Sequence, residues 1–347
     1  MNILLVSAFS QHHPDLKPGN YLQKTGDGLK KGFEALGHSV DCFDYREIEE
    51  QSRKADIREY RQKKYYKKLK KRFLPECFQR LVFRVHGVKR MNEQLISRVR
   101  EGDYGLVLLT KTELVDWMTV SKLNACSRTW YFFMDPYQKA RKHLTEKYAV
   151  RAVRASATRS AVVEFYARAG AQAVLLTQGA DTDYFYPDST CPKKHDVVFV
   201  GTVNAWRRTY IDYLKHEGIN VETFGRRADN PFIAGKELGD LYRSSKIVLD
   251  FQNRGNNTGF SLRVFEVMGS GAFLCTEYTE DTSKLFENGK ELVWFRTPEE
   301  CANLIRTYLE NDEERTRIAE AGAERVAREF TWKAIAENIV DRIEEAT

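Results

Sequence analysis

The sequence predicts two doubly wound, Rossmann-like α/β domains that follow one another along the chain. Its length of 347 residues exceeds one ordinary domain and suits two. Short apolar runs that fit buried parallel strands alternate with amphipathic helical segments throughout. This alternation stops in residues 177–189, which are rich in Gly, Asp and Pro, and then starts again. We therefore expect the domain junction in that stretch.

The first half opens with a strand from Ile3 to Ala8. A helix is predicted from Thr25 to Leu36, because Leu29, Phe33 and Leu36 recur at helical spacing and Gly37 is placed to end it. The remaining strands of this half are predicted at Ser39 to Phe43, Leu106 to Leu109, Thr129 to Phe133 and Ala173 to Leu176.

The second half repeats the alternation. Its predicted strands are Asp196 to Val200, Asn220 to Phe224, Ile247 to Phe251, Ala272 to Cys275 and Leu292 to Phe295. Two closing helices are predicted from about Asp312 to Phe330 and from Trp332 to Glu345. The predicted domains are therefore residues 1–183 and 184–330, with a C-terminal helix in residues 331–347.

A strongly basic segment is inserted in the first half. Residues 51–100 hold 17 Lys and Arg against 4 Asp and Glu, whereas the rest of the chain holds 38 against 45. The pattern predicts two helices broken near Pro75. Three interpretations stay open: a solvated pair of helices, a surface for anionic lipid headgroups over residues 53–100, and a surface for nucleic acid or another polyanion.

Composition excludes several classes of protein. A hydrophobic content of 42% excludes wholesale disorder, and no apolar run reaches the roughly 20 residues of a membrane-spanning helix. The six cysteines lie far apart and show no zinc-like spacing. We therefore expect a cytoplasmic protein with no metal site.

One motif, from Thr258 to Thr276, carries a family resemblance. It reads T-G-F-S-L-R-V-F-E-V-M-G-S-G-A-F-L-C-T. This resembles the donor-site signature of the family 4 glycosyltransferases, E-G-F-G-L-x-x-x-E-A-M-A-x-G-x-P-V-V. The resemblance is closest to the CgeB-like branch of that group.

Three further motifs resemble the same family in the expected order. Phe199-Val200-Gly201 followed by Arg207 is similar to V-G-R-x-x-x-x-K, and Leu238 to Asp250 resembles the helix and strand that follow it. Gly179 to Pro187 resembles the G-V-D-T-D-x-F-x-P domain junction. The resemblance implies the GT-B fold, in which two Rossmann-like domains face a cleft and the final helix packs back on the first domain.

The resemblance also implies that the second domain binds a nucleotide sugar, with UDP- or GDP-sugars favoured. Gly259 allows close approach of the backbone to the diphosphate. Donor contacts through the backbone or small side chains are expected from Gly201, Thr202, Gly225, Asn257, Thr258, Phe260, Ser261 and Leu262.

Charged side chains complete the implied donor site. Arg207, Arg208 and Arg263 are candidates for pairing with the phosphates. The alternative for Arg207 and Arg208 is a solvated first helical turn, and the alternative for Arg263 is a structural role across the donor loop. Glu266 is expected to accept hydrogen bonds from the ribose hydroxyls, and the alternative is a surface charge on an amphipathic helix. Two positions depart from the family pattern, because Thr258 stands where the first Glu is usual and Thr202 where Arg is usual. The identity of the sugar is therefore left open, and Asn253, Asn256 and Asn257 are candidates for replacement contacts.

Catalytic candidates lie in the first half. Asp135 follows a buried strand, at the sheet edge where open α/β sheets bind ligands, and is either a general base or donor-sugar ligand, or else a turn residue ahead of Pro136. Glu113 follows the preceding strand and is a second candidate. His12 and His13, in the first loop, are candidates for acceptor contacts or plain surface residues.

These features together favour transfer of a sugar from a nucleotide sugar to an acceptor hydroxyl, with retention and without a metal. No cofactor is expected beyond the nucleotide sugar as co-substrate. The acceptor is left open, with a lipid-linked or polyanionic molecule suggested by the basic segment, and contact with the inner membrane face is left open with it. Two alternatives stay: a nucleotide-sugar epimerase or hydrolase, and a polyanion- or membrane-binding protein on a decayed GT-B scaffold.

Overall fold

A computed structural model describes residues 1–9, 25–62, 76–112, 114–252 and 258–345. The first half forms a six-stranded parallel sheet in the order β2-β1-β3-β4-β5-β6. Its strands are β1 Asn2–Ser7, β2 Ser39–Asp44, β3 Leu106–Thr110, β4 Thr129–Phe133, β5 Arg154–Ala157 and β6 Ala173–Leu175.

Helices cover both faces of this first sheet. They are α1 Thr25–Ala35, α2 Tyr45–Gln62, α3 Glu76–Glu101, α4 Trp117–Asn124, α5 Tyr137–Lys142, α6 Glu146–Ala149 and α7 Ser160–Arg168. Alternate residues of each strand enter the two cores, so that Leu4 and Val6 face one cluster while Ile3 and Leu5 face the other. This burial on both faces is what the continuous apolar strands require.

The second half forms a five-stranded parallel sheet in the order β11-β10-β9-β7-β8. Its strands are β7 His195–Val200, β8 Glu222–Phe224, β9 Ser245–Asp250, β10 Phe273–Glu277 and β11 Val293–Phe295. Its helices are α8 Ala205–His216, α9 Lys236–Arg243, α10 Leu262–Gly269, α11 Glu280–Leu285, α12 Pro298–Glu310 and α13 Asp312–Glu329.

Two parallel-sheet α/β domains confirm the fold class that the sequence predicts. The first sheet ends at Leu175 and the second begins at His195, so the predicted boundary between residues 183 and 184 falls between the sheets. Strand β8 is shorter than expected and starts at Glu222 instead of Asn220.

The final helix, α14 Trp332–Glu344, packs on the first domain. Its apolar face joins the core that contains Ile3 and Leu29. Two glycines of α1 allow this close approach, because a Cβ at Gly28 would lie 2.2 Å from the Trp332 ring and one at Gly32 2.2 Å from the Trp332 carbonyl oxygen. The chain therefore crosses back from the second domain to complete the first.

The basic segment is partly built into the fold. Helix α3 buries Met91, Leu95 and Val99 against the first sheet, and α2 packs on α3. The predicted break near Pro75 lies outside the described residues. No helix in the described part of the chain is both long enough and apolar enough to cross a membrane.

Candidate active site

The loop that follows β7 approaches the loop that follows β8 without room for side chains. The amide of Gly201 donates to the carbonyl of Phe224 at 2.8 Å, and a Cβ at Gly225 would lie 2.7 Å from the Gly201 carbonyl oxygen. A Cβ at Gly201 would itself lie 2.7 Å from Nη2 of Arg263. Both glycines are therefore required by packing beneath the predicted diphosphate position.

Arg207 joins the ends of two strands. Its Nε and Nη2 donate to the Phe251 carbonyl at 3.1 and 2.9 Å, and its Nη1 donates to the Thr202 carbonyl at 2.9 Å. Burial, together with the charge of Arg263, lowers the pKa of Arg207 to about 10. Arg208, one residue on, instead donates to the Arg227 carbonyl at 3.1 Å. Arg207 thus holds the two loops of the site together, and its remaining N–H groups are available to a ligand.

A buried carboxylate, Asp250 at the end of β9, orients Arg263. Asp250 is fully buried and accepts from Nη1 of Arg263, from Oγ of Ser261 at 3.1 Å and from Oγ1 of Thr276 at 3.2 Å. Burial disfavours the charged form of Arg263, but Asp250, with Tyr242 and Glu266, raises its pKa overall. Arg263 therefore stays a cation inside the site.

Glu266 lies in the second turn of α10, close to Arg263. No side chain in the described part of the chain donates a hydrogen bond to its carboxylate, so this acceptor is open to a ligand. Burial, with a smaller contribution from Asp250, raises the pKa of Glu266 to about 7, although Arg263 opposes the shift. A partly buried carboxylate with no donor of its own is suited to bind hydroxyl groups.

The loop before α10 contacts the first domain. Gly259 has a φ of +86°, and a Cβ there would lie 2.2 Å from Nη1 of Arg159. The same Nη1 donates to the Thr258 carbonyl. Oδ2 of Asp281 accepts from the amide of Gly259 and, at 3.0 Å, from the amide of Ser160. The residues after β5 therefore meet those after β9 and β10 across the cleft.

The residues between Gly259 and α10 have separate roles. Phe260 is buried and packs edge-to-face with Phe265 at 5.7 Å between ring centroids. Ser261 is the N-cap of α10, although its hydroxyl donates to Asp250 instead of capping the helix. Leu262 is the first helical residue. The amide groups at the start of α10 therefore lie at the carboxyl edge of the second sheet.

Among the described residues, Asp135 lies beside three cations at the carboxyl edge of the first sheet. Oδ2 of Asp135 lies 3.1 Å from Nζ of Lys111, and its Oδ1 lies 3.5 Å from Nζ of Lys139. Arg159 follows β5, and burial lowers its pKa while Asp281 and Asp135 oppose that shift. Asp135 is thus held as an ion-paired group beside the cleft.

The predicted site residues fall into three groups. His12, His13, Glu113, Asn253, Asn256 and Asn257 lie outside the described residues. Among the others, Gly201 and Thr202 lie in the loop after β7, and Arg207 lies in the first turn of α8. Arg263 and Glu266 lie in α10 of the same domain, whereas Asp135 lies in the first domain.

Four residues of the site were missed by the sequence interpretation. Asp250 is an acidic residue at the end of an apolar strand, and this pattern in the sequence could have identified it as a site residue. Lys111 follows the predicted strand β3, and Arg159 follows the short strand β5. Asp281 belongs to no obvious motif. These four make contacts with partners remote in sequence, up to 121 residues away for Asp281 and Ser160.

Comparisons with known proteins agree with this architecture. Residues 193–341 match a family model described as glycosyl transferase-like. HepE of Anabaena, solved in complex with UDP-glucose, is similar over 99% of this chain and 100% of that one, with a TM-score of 0.67 and 14% identity. No curated protein matches the chain in sequence.

Two more solved structures share the fold. Sucrose-phosphate synthase from Thermosynechococcus elongatus has a TM-score of 0.64 and 14% identity, covering 99% of this chain and 98% of that one. A glycosyltransferase from Rickettsia africae has a TM-score of 0.63 and 11% identity, with the same coverage of 99% and 98%. The two-domain architecture is therefore that of the GT-B glycosyltransferases.

Proposed function

We propose that the protein transfers a sugar from a nucleotide sugar to an acceptor hydroxyl in the cleft between its two domains. One observation carries this proposal: the open carboxylate of Glu266 stands beside the Arg263–Asp250 pair, on the helix that follows the Gly259 loop. This arrangement lies inside the segment that matches the glycosyl transferase-like model.

The donor is bound by the second domain in this proposal. Glu266 accepts the ribose hydroxyls, and Arg263, the remaining N–H groups of Arg207 and the first amides of α10 bind the diphosphate. These positive groups stabilise the charge that develops on the leaving nucleotide, so we propose that no divalent metal is needed. HepE was solved with UDP-glucose and with UDP, which makes UDP-sugars the first donors to test and GDP-sugars the second.

The acceptor is bound by the first domain. Asp135 lies at the carboxyl edge of that sheet, where its carboxylate is in a position to receive the proton of the acceptor hydroxyl or to contact the donor sugar. For the stereochemical outcome we propose retention, because the family resemblance implies it. We further propose a cytoplasmic location, while contact with the inner membrane face through residues 53–100 stays a prediction.

The test is release of nucleoside diphosphate from UDP-glucose, GDP-mannose and related donors, with and without an extract of small molecules and lipids as the acceptor pool. Wild type is compared with Glu266→Ala, Asp135→Asn and the control Glu324→Ala, an exposed residue of α13. We expect acceptor-dependent release that both site variants abolish and the control retains. Turnover should persist in EDTA.

Other results would point to the alternatives. Fast release without any acceptor would indicate a hydrolase, and conversion of the donor to its epimer would indicate an epimerase. Neither turnover nor nucleotide binding would indicate a decayed donor site, and charge reversal in the basic segment would then be the next test. A strict requirement for Mg²⁺ or Mn²⁺ would contradict the proposed role of Arg207 and Arg263 in binding the diphosphate.

A further inference from the structure

Lys111 has an unusual backbone conformation at the mouth of the cleft. It follows β3 with a φ of +47°, in the left-handed region that favours glycine. Two contacts hold it there: its carbonyl accepts from the Tyr45 hydroxyl at 2.6 Å, and its amide donates to the Phe132 carbonyl at 3.4 Å. Strained residues of this kind cluster at functional sites.

Among the described residues, the ion pairs beside Lys111 contain more positive than negative groups. Asp135 pairs with both Lys111 and Lys139, so one carboxylate serves two ammonium groups. Its side chain is 16% exposed, whereas those of Lys111 and Lys139 are 41% and 57% exposed. A molecule that enters the cleft therefore meets positive charge before it reaches the carboxylate.

A small cavity of 40 Å³ opens beside Lys111. Its wall includes Thr112, His143 and Thr145. Thr112 is 2% exposed, and its Oγ1 has no hydrogen-bond partner in the described part of the chain. Buried hydroxyls are normally paired, so this unpaired donor marks a place for the oxygen atoms of a ligand.

We infer that the acceptor carries an anionic group, a phosphate or a carboxylate, which binds at a subsite formed by Lys111, Thr112 and His143. Lys111 supplies the charge, Thr112 donates its free hydroxyl, and His143 closes the exposed side. The anion neutralises the excess ammonium charge and places a neighbouring hydroxyl near Asp135. This inference rests on the proposed function, since it names the acceptor class of that same site.

The test is calorimetric titration of the full chain with inorganic phosphate and, separately, with acetate. The variants are Lys111→Gln and Thr112→Val, and the control is Lys122→Gln, an exposed lysine of α4. We expect Lys111→Gln to weaken binding of the preferred anion about tenfold, because a charge-assisted hydrogen bond is lost. Thr112→Val should weaken binding without lowering the melting temperature, since it removes a hydroxyl that has no partner in the fold.

Nucleotide binding is measured on the same samples to keep the two claims separate. Binding of phosphate or acetate that depends on Lys111 supports the subsite, and the tighter anion identifies the group. A protein that binds nucleotide but neither anion, or whose anion binding is unchanged in both variants, overturns this inference alone. A protein that binds an anion through Lys111 but no nucleotide retains the subsite and overturns the proposed function.

Discussion

The carboxylate of Asp281 accepts a hydrogen bond from the backbone amide of Ser160 at 3.0 Å and thereby joins the second domain to the first. The same oxygen accepts from the amide of Gly259, in the loop that leads into α10. Asp281 is fully buried. One acceptor therefore connects the predicted donor loop to the opposite side of the cleft.

Asp281→Ala should lower both stability and nucleotide affinity, because it leaves two backbone amides without their acceptor. The expected loss of unfolding free energy is about 2 kcal/mol. Urea unfolding and nucleotide titration measure the two effects. The adjacent exposed Glu280→Ala is the control, and equal behaviour of the two variants would show that Asp281 does not hold the donor loop.

Gly259→Ala should lower the free energy of unfolding more in a protein that has Arg159 than in one that lacks it. In wild type the new methyl group meets Nη1 of Arg159 and also needs a φ of +86°. An Arg159→Ala background removes the three nearest contacts of the new methyl group, and the backbone strain of about 1 kcal/mol remains. A double-mutant cycle on the free energy of unfolding measures the difference. If the losses of unfolding free energy from the two substitutions are additive, contact with Arg159 is not the reason that position 259 requires glycine.

Glu266→Gln should stabilise the ligand-free protein above pH 7 and leave it unchanged below about pH 4.5. The folded-state pKa of Glu266, about 7, lies above the ordinary glutamate value of 4.5. Between these values the native state holds a proton that the unfolded state has lost, so stability falls as the pH rises through this window. Thermal unfolding from pH 4 to 8 checks this, and parallel curves for the two proteins would contradict it.

Gly32→Ala should loosen the C-terminal helix from the first domain. The added methyl would lie 2.2 Å from a backbone oxygen of Trp332, which cannot rotate away as a side chain can. We expect a loss of about 2 kcal/mol, with Glu34→Ala on the exposed face of α1 as the control. Hydrogen exchange of the α14 amides should rise in the glycine variant only.

Much of the fold follows from local pattern. The apolar strands, the amphipathic helices and the glycines at their ends are each set by residues within a few positions of one another, so sequence predicts them well. The sequence also predicts Glu266 and Arg263 as site residues, because both lie on one short helix next to a recognisable glycine loop.

The contacts across the cleft could not be predicted from the sequence. Arg159 meets Thr258, and Ser160 meets Asp281, only after both sheets have formed and the domains have come together. The same holds for Arg207. The sequence predicts phosphate binding by this residue, but not that its guanidinium donates hydrogen bonds to the carbonyls of Phe251 and Thr202. The strained φ of Lys111 is likewise a product of tertiary packing.

The most direct test of the central claim is thermal unfolding with UDP, GDP, ADP, CMP and dTDP, for wild type, Glu266→Ala and Glu324→Ala. A ligand at 100 times its dissociation constant stabilises the native state by about 2.7 kcal/mol, which gives a visible shift. We predict that one nucleotide raises the melting temperature of wild type and of Glu324→Ala, but not that of Glu266→Ala. If no nucleotide raises it, or if Glu266→Ala shifts as wild type does, the proposed donor site is wrong.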